Sequence, residues 1–387
     1  MKKKILYITL EGINSTVFDS QVYELLNSRI SIEYDVELLC LQAVNIRWNR
    51  KILNKIKKVK KNKTFKVTII PYIGYKNMLS YSIAKKIIKH KIDKLSKEIR
   101  ESIVHCRGQE AGLIASECKT DKTIIYSDIR SVPSEELKNL NYKRSIYFKE
   151  IDRKLFENKD IYLNFISKKL FYYYKSIYNI ENFKSIIPCF ASFESNINNI
   201  TNLKDKKLTY LYVGGQQFYQ KLEKYDKVMR LSKDGSKWIF CLNGNRNIEF
   251  ENKIGNVAKV KNIELQILYN LSKDKLDNIY SKSNVGVIFR DNIVLNEVAC
   301  PVKVAEYFSK GLSVCMIGKI GDFYNLIKND NRLGVAVENI EDLDEEEIKS
   351  LENIQTYYDI NYRTAISNKY SKEYCIKEYL YYYGEIK

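Results

Sequence analysis

Pro301-Val302-Lys303-Val304-Ala305-Glu306-Tyr307-Phe308-Ser309-Lys310-Gly311-Leu312-Ser313-Val314 is the stretch from which the rest of the chain can be read. A proline at the first helical position loses nothing, because that N–H has no intrahelical partner. Gly311 is suited to the left-handed conformation that ends a helix. Lys303 and Glu306 stand three residues apart and so share one helical face. The apolar run 312–317 follows at once and reads as a buried strand. A helix N-terminus beside a lysine suits a phosphate, and a carboxylate one turn later can accept hydrogen bonds from sugar hydroxyls. An ordinary amphipathic helix with a surface Lys/Glu pair would look the same, so the neighbouring segments decide.

Outward from that stretch, short β-rich runs alternate with helical patterns. In the first half, strands are expected at 4–10, 35–41, 65–70, 102–106, 123–127, 161–165 and 185–187, with helices at 18–30, 79–100, 109–118, 134–155 and 167–178. A polar stretch at 194–199 then interrupts the pattern, which restarts with strands at 208–213, 238–242, 285–289, 312–317 and 334–337. Helices between these are expected at 218–231, 273–282, 302–310 and 323–329, an acidic helix start at 342–347, and a long helical tail at 355–383. Alternating β and α implies doubly wound parallel sheets. The expectation is an α/β chain of two Rossmann-like domains, 1–190 and 191–360, with a terminal helix at 361–387. In such sheets ligands bind beyond the carboxyl ends of the strands, so the residues just after strands matter most. Those are Gly12 with Ser15 and Thr16, His105 and Arg107, Asp128 and Arg130, Gly214 and Gly215, Asn243, and Arg290.

The 301–314 stretch resembles the nucleotide-binding segment of GT-B glycosyltransferases, in particular glycosyltransferase family 4 and its relatives in bacterial surface-polysaccharide synthesis. Their pattern is P-x-K-x-x-E-Y-x-x-x-G-[LK]-P-V. Pro301, Lys303, Glu306, Tyr307, Gly311, Leu312 and Val314 fit it, and Ser313 departs from its proline. The resemblance implies two domains facing a central cleft, with the last helix crossing back to the first domain. It implies that Glu306 holds the ribose of the donor. Many relatives carry a second glutamate that falls here at Val298, so no second catalytic glutamate carries over. Relatives have a glycine-rich loop after the first strand, of which Gly12 remains. They have a His-x-Arg like His105-Cys106-Arg107, which places His105 at the reacting sugar and Arg107 at a phosphate. A D-x-R like Asp128-Ile129-Arg130 falls in the acceptor half. After Val213-Gly214-Gly215, relatives use an arginine and a lysine for the diphosphate; here Lys221 follows, Arg290 is the candidate for the second cation, and Asn243 lines the base pocket.

The implied activity is transfer of a sugar from a nucleotide-diphosphate donor, a UDP- or GDP-sugar, to a glycan or lipid-linked acceptor in capsule, O-antigen or similar synthesis. Retention of configuration follows by the same resemblance, and no cofactor or metal is expected, the cations Lys303, Lys221 and Arg290 balancing the leaving diphosphate. A nucleotide-sugar 2-epimerase of the same fold and a non-catalytic scaffold are the alternatives, the latter permitted by Val298.

Composition is that of a globular, not a disordered, chain. The 387 residues are 45% hydrophobic and 29% charged, and no apolar run reaches the ~18 residues of a membrane span. Eight scattered cysteines without a CxxC, and only two histidines, read as reduced thiols in a cytoplasmic protein without structural zinc. GxGxxG, GxxxxGK[ST], GxSxG and HExxH patterns are missing and no DxD stands at an expected strand end, which disfavours dinucleotide oxidoreduction, P-loop chemistry, two hydrolase classes and a metal-dependent GT-A enzyme. The net charge of +18 gathers at 47–66 and 85–100. A/T-rich codon usage accounts for it as a bland reading. The sharper one is an anionic membrane surface met by the basic N-terminal helices, where each lysine adds about 1 kcal/mol, in preference to nucleic acid.

Overall fold

The computed structural model describes residues 2–385 except 16, 44–49, 73, 75–76, 99–100, 192–207 and 218–219. Thr16, the first residues of the basic run at 47–49 and the polar stretch at 194–199 therefore lie outside the described residues. The chain divides into two compact units, Met1–Cys189 with Lys372–Lys387, and Phe190–Ser371.

The first unit holds a seven-stranded sheet, β1 (Lys4–Thr9), β2 (Asp35–Ala43), β3 (Lys66–Tyr72), β4 (Ser102–Arg107), β5 (Thr123–Ile129), β6 (Ile161–Phe165) and β7 (Phe183–Ile186). Its order is β3-β2-β1-β4-β5-β6-β7, every pair parallel. The order reverses between β1 and β4, where Thr9 pairs with Arg107. That reversal opens the crevice used by doubly wound sheets. β1 and β4 are buried nearly throughout, as apolar runs covered on both faces must be.

The second unit holds β8 (Thr209–Gly214), β9 (Lys237–Leu242), β10 (Glu264–Tyr269), β11 (Val285–Phe289), β12 (Ser313–Ile317) and β13 (Gly334–Val337), ordered β10-β9-β8-β11-β12-β13 and again all parallel. The reversal here lies between β8 and β11. One face of the sheet carries Tyr210, Tyr212, Trp238 and Phe240 among its core residues; the other carries Val304, Tyr307, Phe308 and Phe323.

Local chemistry explains where the elements depart from the sequence pattern. The expected helix at 134–155 is two, Pro133–Leu137 and Tyr142–Glu157, because Asn141 caps the second by accepting from Arg144 N at 3.1 Å. The expected helix at 18–30 is a π turn, Asp19–Tyr23, then Glu24–Leu26 and Arg29–Glu33, the last capped by Ser28. The edge strand β10 and the helix Ile248–Val260 had no clear sequence signal: β10 alternates exposed and half-buried positions instead of forming an apolar run. The long tail is two helices, Tyr357–Ser367 and Lys372–Glu385, and the boundary at 361 moves to Ser371. Arg363 is the reason. Fully buried, it donates to the carbonyls of Gly311, Arg332 and Ile354, all at 2.8 Å, which ties that helix to the second unit. The terminal helix Lys372–Glu385 crosses back to the first unit.

Candidate functional site

In the second unit the helix Val302–Ser309 starts at Pro301 and stops as its sequence suggests. Gly311 takes φ +76°, its N–H reaches Phe308 O at 2.9 Å and the Leu312 N–H reaches Tyr307 O at 3.0 Å. These two bonds are a Schellman stop. The helix is fixed on the sheet by Tyr307, whose hydroxyl accepts from Val213 N at 3.1 Å. Its other face presents Lys303 and Glu306. Lys303 Nζ lies 2.7 Å from Glu306 Oε2, and Tyr280 donates its hydroxyl to the same oxygen at 2.9 Å. Both bonds land on Oε2, and Oε1 has no hydrogen-bond partner among the described residues. The carboxylate is 22% exposed, oriented from below and open above. Burial, then the Glu306 charge, pushes the Tyr280 phenol well above its usual pKa, so it stays a donor.

The other expected donor-side residues stand at the carboxyl ends of the same sheet. Gly214 ends β8, and the Tyr212 hydroxyl donates to Gly215 O at 2.8 Å. A side chain on Gly214 would meet that hydroxyl. Asn243 follows β9, is exposed, and its carbonyl and that of Asn245 accept from Gln216 Nε2 at 3.3 and 2.7 Å. Gln216, Asn243 and Asn245 line a shallow open concavity there. Lys221 sits in the left-handed region at φ 49°, uncommon for a side chain of its size, and pairs with Asp291 at 2.9 Å. The hydrogen bond to Asp291 raises its pKa and keeps it cationic. Arg290 lies next to that carboxylate in sequence and donates to Asn296 Oδ1 at 3.4 Å. Val298 is buried, so no carboxylate comes from that position.

In the first unit, His105 and Asp128 lie beneath the surface of the sheet's crevice end. Both are completely buried and belong to a polar network roofed by the terminal helix. His105 Nδ1 is hydrogen-bonded to the Tyr383 hydroxyl, and the ring packs among Tyr7, Tyr126, Tyr379 and Tyr383. At 3.9 Å its Nε2 is too far from Asp128 Oδ2 for a hydrogen bond. Burial lowers its pKa against the raising pull of Asp128, leaving a neutral ring. Asp128 receives Arg130 at 2.8 Å, Asn164 at 2.5 Å and Tyr379 at 3.1 Å. Burial pushes Asp128 up, but Arg130, with Arg107 behind it, outweighs it and holds the carboxyl well below the usual range. Neither side chain has surface to offer a sugar. Arg107 differs: it ends β4 at the crevice, pairs with Glu11 at 3.1 Å, and its buried Nη1 has no hydrogen-bond partner among the described residues. Gly12 takes φ +75° in the loop after β1, where a Cβ would strike the Gln42 amide that accepts from Ile13 N.

Five partners escaped the sequence reading: Tyr280, Asp291, Glu11, Tyr379 and Tyr383. Glu11 and Asp291 each follow a strand end and carried a positional signal. Tyr280, in the helix Lys273–Tyr280, carried none. Among the described residues no group of three or more His, Cys, Asp or Glu could hold a metal ion, and no helix is long and apolar enough to cross a membrane.

No family model matches the chain, and no curated protein matches it in sequence. Solved structures do match. A glycosyltransferase from Rickettsia africae aligns with a TM-score of 0.67 over 100% of this chain and 98% of that one, at 16% identity. The lipopolysaccharide outer core galactosyltransferase WaaB, in its apo form, gives 0.65 over 99% of each chain at 12% identity. HepE from Anabaena, solved with UDP, gives 0.63 over 99% of this chain and 100% of that one at 7% identity. The chain has the GT-B fold. At these identities the likeness carries the architecture and no finer property.

Proposed function

We propose that this chain is a glycosyltransferase of the family 4 type, moving a sugar from a nucleotide-diphosphate donor to a glycan or lipid-linked glycan in surface-polysaccharide synthesis at the cytoplasmic face of a membrane. The observation that carries the reading is the Glu306 carboxylate, tethered through Oε2 by Lys303 and Tyr280 and open at Oε1. A carboxylate held this way accepts from a ribose diol without losing its orientation, and little entropy is left to lose on binding. HepE has been solved with UDP and with UDP-glucose, so a uridine nucleotide is the first donor to try.

The remaining roles follow from position. Asn243 and its loop line the base side. Gly214 and Gly215 let the backbone approach the diphosphate. As the bond from the anomeric carbon to the diphosphate breaks, negative charge gathers on the leaving phosphate. Lys303, Lys221 and Arg290 are the cations placed to offset it, and the left-handed backbone at Lys221 is the kind of local cost that persists where geometry is used. The Gly12 loop is assigned to the donor phosphates and Arg107 to a phosphate, with His105 and Asp128 as the buried frame behind them. Retention of configuration belongs to the reading through the family pattern.

The test is thermal unfolding with UDP, GDP, CMP and ADP. A nucleotide at 100 times its dissociation constant adds ~2.7 kcal/mol. One nucleotide should stabilise the wild type and leave Glu306→Ala unmoved. The buried Val298 favours a scaffold as the second reading, and stabilisation by none of the four would turn the assignment to it. UDP release without an acceptor would turn it to a 2-epimerase.

A further inference from the structure

The two middle strands of the second sheet are parted. β8 meets β11 through two residue pairs, Tyr210 with Val285 and Leu211 with Gly286, whereas β8 runs with β9 through six and β11 with β12 through five. Beyond those two pairs, tyrosine hydroxyls stand where ladder bonds would be. The Tyr307 hydroxyl accepts from Val213 N at 3.1 Å and donates to Val287 O at 3.4 Å. The Tyr225 hydroxyl accepts from Phe289 N at 3.0 Å. One ring comes from each face of the sheet. The hydroxyls satisfy backbone groups that burial would otherwise leave without partners, so the split is built into the fold. It lies where the strand order reverses, which is where doubly wound sheets take their ligands.

An ion pair spans the mouth of that split. Lys221 comes from the segment after β8 and Asp291 from the segment after β11. Lys221 Nζ lies 2.9 Å from Asp291 Oδ2, with a Glu223 oxygen farther off at 3.9 Å. The two ends of the pair are held differently. The Asp291 carbonyl accepts from the side chain of buried Asn296 at 2.9 Å, which fixes the main chain beneath the carboxylate. Lys221 reaches that carboxylate on a flexible four-carbon stem. Side-chain exposures of 23% and 35% leave the pair in contact with water, and a pair of this kind is weak and screened by salt. A terminal phosphate carries more charge and more acceptor oxygens than a carboxylate, so it is the stronger partner for an ammonium ion.

We propose that Asp291 holds, in the free protein, the place at Lys221 that a terminal phosphate takes in the complex, and that this exchange sets how firmly a nucleoside diphosphate is retained. The inference rests on the assignment of Lys221 to the donor diphosphate. Transfer of the sugar leaves a nucleoside diphosphate whose outer phosphate has gained a charge, and that product is held by Lys221 with the Asp291 carboxylate beside it. As the product departs, the carboxylate recovers the amine, so Asp291 favours release. A ligand that ends at its first phosphate has nothing to exchange at Lys221. Asp291 therefore matters to a diphosphate and not to a monophosphate.

The test is calorimetric titration of the full chain with UDP, UMP and inorganic pyrophosphate at low and high salt. Wild type, Asp291→Asn, Lys221→Met and the double variant are compared as a cycle. Asp291→Asn should bind UDP about five- to tenfold more tightly than wild type at low salt, bind UMP as wild type does, and lose most of its gain at high salt. In the Lys221→Met background most of the gain should vanish, because there is no amine to exchange. Weaker UDP binding by Asp291→Asn would make Asp291 the residue that positions Lys221 and would overturn the exchange. So would an unchanged UDP affinity, an equal gain for UMP, or a gain of the same size without Lys221. A wild type that ignores both nucleotides, while pyrophosphate binds Asp291→Asn more tightly, would remove the glycosyltransferase reading and leave the exchange standing. Binding of none of the three to either protein would sink both. Asp291→Ser repeats the comparison if Asp291→Asn melts below wild type, and it must show the same gain.

Discussion

Asp152 is the residue whose surroundings make the sharpest demand. It is buried in the helix Tyr142–Glu157, accepts one hydrogen bond from Tyr174 at 3.2 Å, and its Oδ1 has no hydrogen-bond partner among the described residues. Burial pushes its pKa from 3.8 up to about 8, against the lowering pull of the Tyr174 bond. A carboxyl with a raised folded pKa binds its proton more tightly in the folded state. Its contribution to stability is fully present below the unfolded pKa and is lost as pH rises through the folded one. Between about pH 4 and 8 the loss should run at roughly 1.4 kcal/mol per pH unit. Asp152→Asn removes it, so urea melts of wild type and variant should diverge in midpoint as pH rises through that window and stay parallel above it. A wild type as steady as the variant from pH 5 to 8 would mean that the carboxyl is already ionised. Gly286 makes a steric demand. A Cβ there would lie 2.3 Å from the Tyr307 ring, the ring that holds the Glu306 helix to β8. Gly286→Ala should cost about 1–3 kcal/mol and weaken nucleotide binding together with stability, whereas a variant that melts like wild type would show that the ring can move aside.

At the scale of the element, the terminal helix Lys372–Glu385 shows how buried polar geometry hides from sequence. Tyr379 and Tyr383 are one turn apart and both buried, and their hydroxyls meet Asp128 and His105. The partners are 251 and 278 residues away along the chain. Tyr383→Phe removes one hydroxyl and leaves His105 Nδ1 buried without its partner, so a loss of about 1–3 kcal/mol is expected in denaturant melts. No measurable loss would show that the ring nitrogen finds another donor. Apolar strands such as β1, β4 and β11 announced themselves because burial on both faces demands continuous hydrophobicity. The helix Val302–Ser309 did so because its start and stop chemistry is local. His105 could be read as a strand-end residue, but nothing local says whether its ring faces solvent or a tyrosine 278 residues later. The same holds for Glu306: the residue was legible, and its clamp by Tyr280 was not, since a tyrosine at the end of an amphipathic helix looks like core. β10 was missed for the complementary reason, an edge strand having only one well-covered face.

For the whole molecule, the order in which the chain visits its two units has a consequence for stability. Residues 1–189 form the first sheet, 190–371 form the second unit, and only 372–387 return to complete the first. The first unit therefore depends on a segment that follows the whole second unit in the chain. Until it arrives, Asp128, Arg130 and His105 lack the Tyr379 and Tyr383 roof, and Cys375 lacks its contact with the Pro188 carbonyl. The second unit is closed within itself, because Arg363 and the helix Tyr357–Ser367 are already in place by Ser371. A chain ending at Ser371 should thus separate the two. Its first unit should melt several degrees lower or fail to give a cooperative transition, since uncovering buried charged groups costs several kcal/mol. Its second unit should keep the nucleotide-dependent rise in melting temperature, because Glu306, Lys303 and Tyr280 all lie inside 190–371. Loss of the nucleotide response in the truncated chain, with the second transition otherwise intact, would show that residues of the first unit or the terminal helix take part in holding the nucleotide.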